Sequence, residues 1–100
     1  MRELARVTRP TLDVLEQLLR ADGRELHGWA IMKATGWTGP TVYGVLNRLD
    51  AAAWITGRTE ETNPEPGRPA RRFYRLTPDA ATRAQQLLTA RHASPAGGDR

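Results

Sequence analysis

The chain has 100 residues, of which 39% are hydrophobic, so it suits one small globular domain and excludes a large enzyme. It contains no cysteine, which excludes disulfides, thiolate metal sites and cysteine nucleophiles. The formal net charge is +4, and among its 15 Lys and Arg residues only Lys33 is a lysine. An arginine-rich chain suits a polyanionic partner, but a genome rich in G and C gives the same bias. No apolar run approaches the ~20 residues of a membrane span and no signal sequence is apparent, so we expect a cytoplasmic protein without a membrane partner.

The segment 1–9 is a basic arm with an apolar edge at Leu4 and Val7. It is expected to be helical or an ordered extension. The first helix is predicted to begin near Pro10, because proline is favoured in the first helical turn, and to end near Ala21.

Two further helices are predicted before any strand. The second helix covers about Leu26 to Thr35, and Gly36 is its C-terminal stop. The third helix covers residues 38–53 with Thr38 as its N-cap. Its buried stripe has helical spacing and consists of Val42, Val45, Leu46 and Leu49.

A β-hairpin is predicted after the third helix. Residues 54–59 and 71–76 are rich in β-branched and aromatic side chains, and alternation in the second strand directs Tyr74 and Leu76 to the core. The Pro- and Gly-rich stretch 63–69 between the strands reads as a loop.

The last predicted element is a helix over residues 77–92, because Thr77-Pro78-Asp79 is a strong start signal. Residues 93–100 are expected to form a disordered tail. Two short helices around a tight turn form a helix-turn-helix, and a hairpin directly after them is a wing. The predicted fold class is therefore mainly α with a small β-hairpin, a winged helix-turn-helix over residues 10–76, whose usual work is reading duplex DNA.

Three segments of the chain, His27–Ile31, Thr38–Asp50 and Gly67–Thr77, resemble PadR-family transcriptional regulators. Their order and spacing also fit, over roughly residues 8–90. The chain departs from the family pattern in the order of Gly39-Pro40, in Gly44 where proline is frequent, and in Ala53 where a helix-ending glycine is frequent. The single helix after the wing resembles the short subgroup of the family.

The resemblance implies a homodimeric, DNA-binding transcriptional regulator of the nucleoid, usually a repressor, that binds a palindromic operator. It also implies that the 77–92 helix and the N-terminal helix build the dimer. The candidate dimer residues in this sequence are Leu87 and Leu88 of the last helix, with Leu4 and Val7 of the arm. Many family members release DNA when they bind a small aromatic effector, so such an effector is an alternative partner.

Candidate DNA contacts lie on the third helix and on the wing, residues 58–72. The helix offers polar groups to the major groove and to phosphates, namely Thr38, Thr41, Tyr43, Asn47 and Arg48. The wing offers Arg68, Arg71 and Arg72 to the flanking backbone or the minor groove. The alternative is a solvated surface, in which Arg48 pairs with Asp50 or an acid of the first helix, and Glu60, Glu61 and Glu65 neutralise the wing.

Trp29, Trp37 and Trp54 are predicted to pack in or beside the core, with Trp29 retained as a candidate for an effector pocket that binds a flat aromatic ligand. His27 is predicted to be a helix-start or packing residue. The sequence shows no catalytic constellation and no metal-ligand spacing, so we expect no enzyme activity and no cofactor. A winged helix that binds a protein instead of DNA is a further alternative.

Overall fold

The computed structural model describes residues 1–60, 67 and 70–93. Over these ranges the chain forms four helices and a three-stranded antiparallel sheet whose strand order is β1-β3-β2. The elements in chain order are α1 Arg9–Arg20, β1 Leu26–His27, α2 Gly28–Thr35, α3 Gly39–Ala51, β2 Ile55–Thr59, β3 Arg72–Leu76 and α4 Pro78–Ala93. This arrangement confirms the predicted winged helix-turn-helix. No helix in the described ranges is long and apolar enough to span a membrane.

The start of α2 differs from the prediction. Leu26 and His27 form the short strand β1, which pairs with Tyr74 and Phe73 of β3, so the predicted hairpin is part of a three-stranded sheet. The His27 backbone is extended, and its Nδ1 accepts a hydrogen bond of 3.2 Å from the amide of Ala30. His27 therefore caps α2, which confirms its predicted role as a helix-start residue, and the cap fixes the helix start two residues later than predicted.

The helix α3 ends in a hydrogen-bonded cap that leads directly into the sheet. The amide of Ala53 donates to the carbonyl of Asp50 (3.0 Å), and the amide of Trp54 donates to that of Leu49 (2.9 Å). This pair of bonds is the Schellman motif, whose C′ residue adopts the left-handed conformation and is usually glycine. Here Ala53 holds that place with φ 62°. Leu49 and Trp54 are both fully buried and belong to the same apolar cluster.

The strands β2 and β3 form the predicted hairpin, and β3 shows the predicted alternation of faces. Ile55 pairs with Leu76 and Gly57 with Tyr74. Tyr74 is buried, as predicted, and Leu76 is half-buried against the core. Most of the predicted loop 63–69 lies outside the described residues, as do residues 94–100 of the predicted tail, whereas Ala93 is the last residue of α4.

One core joins all the helices to the sheet. Its fully buried large side chains come from α1, α2, α3 and the residue before β2, namely Val14, Leu15, Ile31, Val42, Val45, Leu46, Leu49 and Trp54. The N-terminal arm lies against this core as an ordered extension without helical structure. The Arg2 amide donates to the Ala52 carbonyl (2.8 Å), and the Trp54 indole donates to the Arg2 carbonyl.

Candidate nucleic-acid interface

The outer face of α3 carries the polar residues that the sequence assigned to DNA. Because the predicted apolar stripe is buried, Tyr43, Asn47 and Arg48 are exposed and Thr41 is half-buried. Over residues 1–60, 67 and 70–93, neither Asn47 nor Arg48 makes a side-chain hydrogen bond or an ion pair. The alternative pairing of Arg48 with Asp50 or an acid of α1 is therefore absent from these ranges, and both side chains are available to a partner.

The first turn of α3 also presents unused polar groups. Thr38 stands at the predicted N-cap position, but its side chain makes no capping bond to the backbone. Its hydroxyl instead lies 3.3 Å from the hydroxyl of Thr41. Both hydroxyls thus lie beside the positive end of the helix dipole, where an anion such as a phosphate is stabilised.

Tyr43 connects α3 to the start of α2. A Cβ on Gly28 would lie 2.5 Å from the Tyr43 hydroxyl oxygen and 2.6 Å from two carbons of the ring, so the phenol occupies the space that the absent side chain leaves. Tyr43 remains 42% exposed. The glycine therefore allows the ring to pack on one side while its other side faces solvent.

Two of the three predicted wing arginines are described, and they differ. The Arg71 backbone pairs with Glu60, whose amide donates to the Arg71 carbonyl (2.8 Å), while the Arg71 guanidinium has no partner in the described part of the chain. The Arg72 guanidinium lies across the hairpin, over Gly57 and 5.7 Å from the Tyr74 ring centroid, and donates to Thr59 (3.2 Å). Arg71 is the freer cation. Arg68 lies outside the described residues.

A cleft of about 480 Å³ lies where α3 and the wing meet. It is lined by the start of α2, one side chain of α3 and the end of the hairpin: His27, Gly28, Trp29, Tyr43, Ala70, Arg71 and Arg72. The structure thus brings the predicted residues Tyr43, Arg71 and Arg72 together with Trp29. The remaining α3 residues, including Asn47 and Arg48, do not line this cleft.

The predicted core position of Trp29 is wrong. Trp29 is 57% exposed, because the buried residues of α2 are Gly28 and Ile31, and the position after Gly28 points about 100° away around the helix. Its ring stacks near His27 at 6.2 Å, and the Lys33 ammonium lies 4.8 Å from its centroid. Lys33 was not among the candidates, although its spacing of four residues from Trp29 predicts this contact. Trp37 is half-buried and Trp54 fully buried, as expected.

An ionic cluster holds Trp37, which lies in the turn between α2 and α3. Asp13 accepts hydrogen bonds from the Trp37 indole and from Arg91, both at 2.8 Å, which connects α1, the helix-turn-helix turn and α4. Burial acts to raise the pKa of Asp13, but these two hydrogen bonds and the charges of Arg91 and Arg9 outweigh it and hold the pKa below its ordinary value. Asp13 is therefore ionised at neutral pH.

The residues assigned to the dimer surface occupy unequal positions. Val7 is 42% exposed, whereas Leu4 and Leu87 are half-buried and pack against the core. Leu88 is only 5% exposed and is covered by its own chain. Leu88 therefore offers almost no area to a partner, whereas Leu4, Val7 and Leu87 keep part of their surface accessible.

Several solved structures share this arrangement of helices and wing. A Bordetella bronchiseptica protein, BpsR, whose DNA binding is regulated by 6-hydroxynicotinic acid, is 24% identical with a TM-score of 0.63; the match covers 85% of this chain but only 56% of that one. A PadR family transcription regulator from Clostridium difficile is 19% identical with a TM-score of 0.60, over 81% of this chain and 88% of that one. Pex from Synechococcus is 22% identical with a TM-score of 0.61, over 87% and 85%.

The chain has the winged-helix fold of these proteins. At such identities the likeness establishes the fold alone, and this chain spans little more than half the length of the Bordetella protein. No protein-family model matches the sequence, and a comparison with curated proteins finds no match.

Proposed function

We propose that this protein is a sequence-specific DNA-binding transcriptional regulator, a repressor that binds a palindromic operator as a homodimer. The observation that carries the proposal is the outer face of α3, where Tyr43, Asn47 and Arg48 are exposed and where Tyr43 lines a cleft together with Arg71. A helix of this kind fits the major groove of B-DNA, and the structural neighbours include a transcription regulator and a protein with regulated DNA binding.

Each polar group on α3 suits a defined contact. The planar fork of Arg48 matches O6 and N7 of guanine, and the amide of Asn47 matches N6 and N7 of adenine. Thr38 and Thr41, at the positive end of the helix, suit a phosphate that fixes the register of the helix in the groove. Tyr43 contacts either a thymine methyl group or a phosphate.

The wing supplies contacts that do not depend on the base sequence of the DNA. The Glu60 carboxylate accepts from the Arg71 amide (3.1 Å), but the Arg71 guanidinium makes no ion pair within residues 1–60, 67 and 70–93, so its charge is available to phosphates or to the narrow minor groove beside the helix. The Arg72 guanidinium is held over Tyr74, so it reaches less far from the hairpin towards the DNA backbone. Arg68 is retained as a wing contact on the basis of the sequence.

A homodimer would double the small protein surface that contacts DNA and so strengthen binding to the operator. Two copies related by a two-fold axis place their α3 helices in successive major grooves, so the half-sites lie ~10 base pairs apart or a multiple of that. The surface proposed for the dimer contains Leu4, Val7 and Leu87.

The function is tested by fluorescence anisotropy with DNA retained from a genomic library, at fixed salt and with random competitor. Arg48→Ala should weaken operator binding by about 1–3 kcal/mol and relax the base preference. Arg71→Ala should weaken binding to all DNA sequences alike and lower the slope of log affinity against log salt concentration by about 1. Arg20→Ala, which removes the same charge from an α1 ion pair with Glu16, is the matched control and should have little effect.

The outcome distinguishes the proposed functions. If both variants bind the operator like the parent, the assigned site is wrong. If no genomic DNA is retained above random competitor, the winged helix that binds an acidic protein is the better hypothesis.

A second candidate is supported by the cleft beside Tyr43. Exposed Trp29, together with His27 and the cations of Arg71 and Arg72, suits a flat aromatic anion. A ligand at this place would compete with DNA for Arg71. Addition of an aromatic carboxylate to the DNA complex should then lower the anisotropy in the parent but not in Trp29→Ala.

A further inference from the structure

A second cavity of about 410 Å³ lies on the other side of α3, between this helix and the N-terminal arm. We call it the arm groove. Its apolar lining is aliphatic: Leu4, Ala5 and Ala51 offer surface to a ligand, while Val45, Leu49 and Ala52 also border the groove but are almost fully buried. No aromatic side chain of residues 1–60, 67 or 70–93 lines it, so a flat ring finds no stacking partner among them, whereas an alkyl chain finds apolar contacts on the arm and at the end of α3.

The arm that forms one wall is fixed at several points. The Arg2 amide donates to the Ala52 carbonyl (2.8 Å), its guanidinium donates to the Ala51 carbonyl, and its own carbonyl accepts from the Trp54 indole. Glu3 pairs with Arg83 of α4 at 3.3 Å. The groove is therefore formed in the free protein, and a ligand need not order the arm in order to bind.

The charges that line the arm groove are mainly positive. Arg2, Arg6 and Arg48 face one acid, Glu3, whose carboxylate is paired with Arg83. In the described part of the chain, Arg6 and Arg48 make no hydrogen bond and no ion pair. Two unpaired guanidinium groups beside an aliphatic groove favour a ligand that has an alkyl chain and an anionic head group, because guanidinium binds carboxylate in a bidentate way.

We propose that the arm groove binds an alkyl carboxylate, with its chain between the arm and α3 and its head group on Arg6 and Arg48. The binding site does not depend on DNA recognition, but Leu4 belongs both to the arm groove and to the surface proposed for the dimer, so a partner copy that covers Leu4 would compete with the ligand. The effect of the ligand on DNA does rest on the function proposed above: a carboxylate on Arg48 removes the guanidinium from the guanine edge or phosphate that it would otherwise contact.

Octanoate, titrated into the full chain by isothermal calorimetry below its micellar concentration, is the direct test. One octanoate should bind per chain, and octanol, which has the same chain without the charge, should bind about tenfold more weakly or worse. Arg6→Ala should remove about tenfold of the octanoate affinity and leave octanol binding unchanged, while Arg24→Ala, an exposed arginine outside the groove, should change neither.

Ala51→Leu is expected to fill the arm groove and abolish binding of both probes. Ala51 is exposed at the end of α3, so the variant should fold, and Ala90→Leu at an exposed position of α4 is the matched control. The proposal is overturned if octanoate does not bind, if octanol binds as tightly as octanoate, or if Ala51→Leu binds like the parent. Octanoate affinity that falls as the protein concentration rises would assign the groove to a second copy of the chain and also overturn it.

A DNA titration with octanoate separates this proposal from the proposed function. Octanoate should weaken operator binding of the parent and have no effect on operator binding of Ala51→Leu. If octanoate binds but no DNA is recognised, the site stands and the proposed function fails. If DNA is recognised but octanoate does not bind, only the site fails.

Discussion

Replacing Ala53 with glycine is expected to stabilise the protein. Ala53 has φ 62° at the end of α3, a left-handed conformation that costs an L-residue about 1–2 kcal/mol and glycine almost nothing. Glycine has more freedom in the unfolded chain, which offsets about 0.5–1 kcal/mol of that gain. Because Ala53 is exposed, loss of its methyl group leaves no cavity. The net gain in the free energy of unfolding should be about 0.5–1 kcal/mol.

Thermal denaturation followed by circular dichroism measures this gain. For a domain of about this size each 1 kcal/mol shifts the midpoint by about 4–8 °C, so Ala53→Gly should raise it by about 2–8 °C. Ala90→Gly, at an exposed position inside α4, is the control and should lose about 1 kcal/mol. Ala53→Val should destabilise the chain, because a β-branched side chain tolerates the left-handed region poorly. If the midpoint of Ala53→Gly were at or below that of the parent, the backbone argument for this cap would be wrong.

Three other substitutions test the packing around the proposed site. Gly28→Ala should displace the phenol of Tyr43, since the new methyl group would lie 2.5 Å from its hydroxyl, and should weaken DNA binding severalfold with little change in the thermal midpoint. Asp13→Asn should lower the free energy of unfolding at pH 7 by about 1.5–3 kcal/mol, because it removes a charged hydrogen-bond acceptor. The folded pKa of Asp13 is depressed, so its stabilisation is present above the ordinary aspartate pKa of about 4 and is lost as the pH falls through the folded value. The difference in urea denaturation between parent and variant should therefore shrink as the pH is lowered through that value. Trp54→Phe removes the donor to the Arg2 carbonyl and should accelerate hydrogen exchange of the Arg2 amide.

Each of these three has a result that would contradict it. If Gly28 acts through Tyr43, then Gly28→Ala should cause little further loss of DNA affinity in a Tyr43→Ala background. Additive losses of DNA affinity would show that Gly28 acts elsewhere. For Asp13, Glu16→Gln in an exposed ion pair is the control with an expected cost below about 0.5 kcal/mol, and an undiminished difference at acid pH would exclude the ionised carboxylate as the cause. Unchanged exchange at Arg2 would mean that the indole does not fix the arm.

The sequence predicted α3 well because its signals are local. Thr38 and Pro40 mark its start, and the spacing of Val42, Val45 and Leu49 fixes which face is buried, so the outward positions of Asn47 and Arg48 follow. The strand β1 could not be predicted in this way. Two residues carry no measurable alternation, and Leu26 extends only because it pairs with Tyr74, 48 positions later.

The cleft and the dimer surface depended on contacts that no local pattern records. A tryptophan is expected in the core because its side chain is large and apolar. The exposure of Trp29 is instead decided by which side of α2 packs against the other helices. Leu87 and Leu88 look alike in the sequence, yet only Leu88 turns fully into the core. The meeting of Tyr43 with the wing arginines is likewise a property of how α2, α3 and the sheet pack together.

The three tryptophans provide optical probes at three levels of the structure. Trp54 is sealed at the junction of α3 and β2, Trp37 is hydrogen-bonded to Asp13 where α1 meets α4, and Trp29 faces solvent beside the cleft. Variants that keep one tryptophan each would therefore emit at different wavelengths and report on separate regions. Their unfolding curves would show whether α3, the ionic cluster around Asp13 and the cleft lose structure together or one after another.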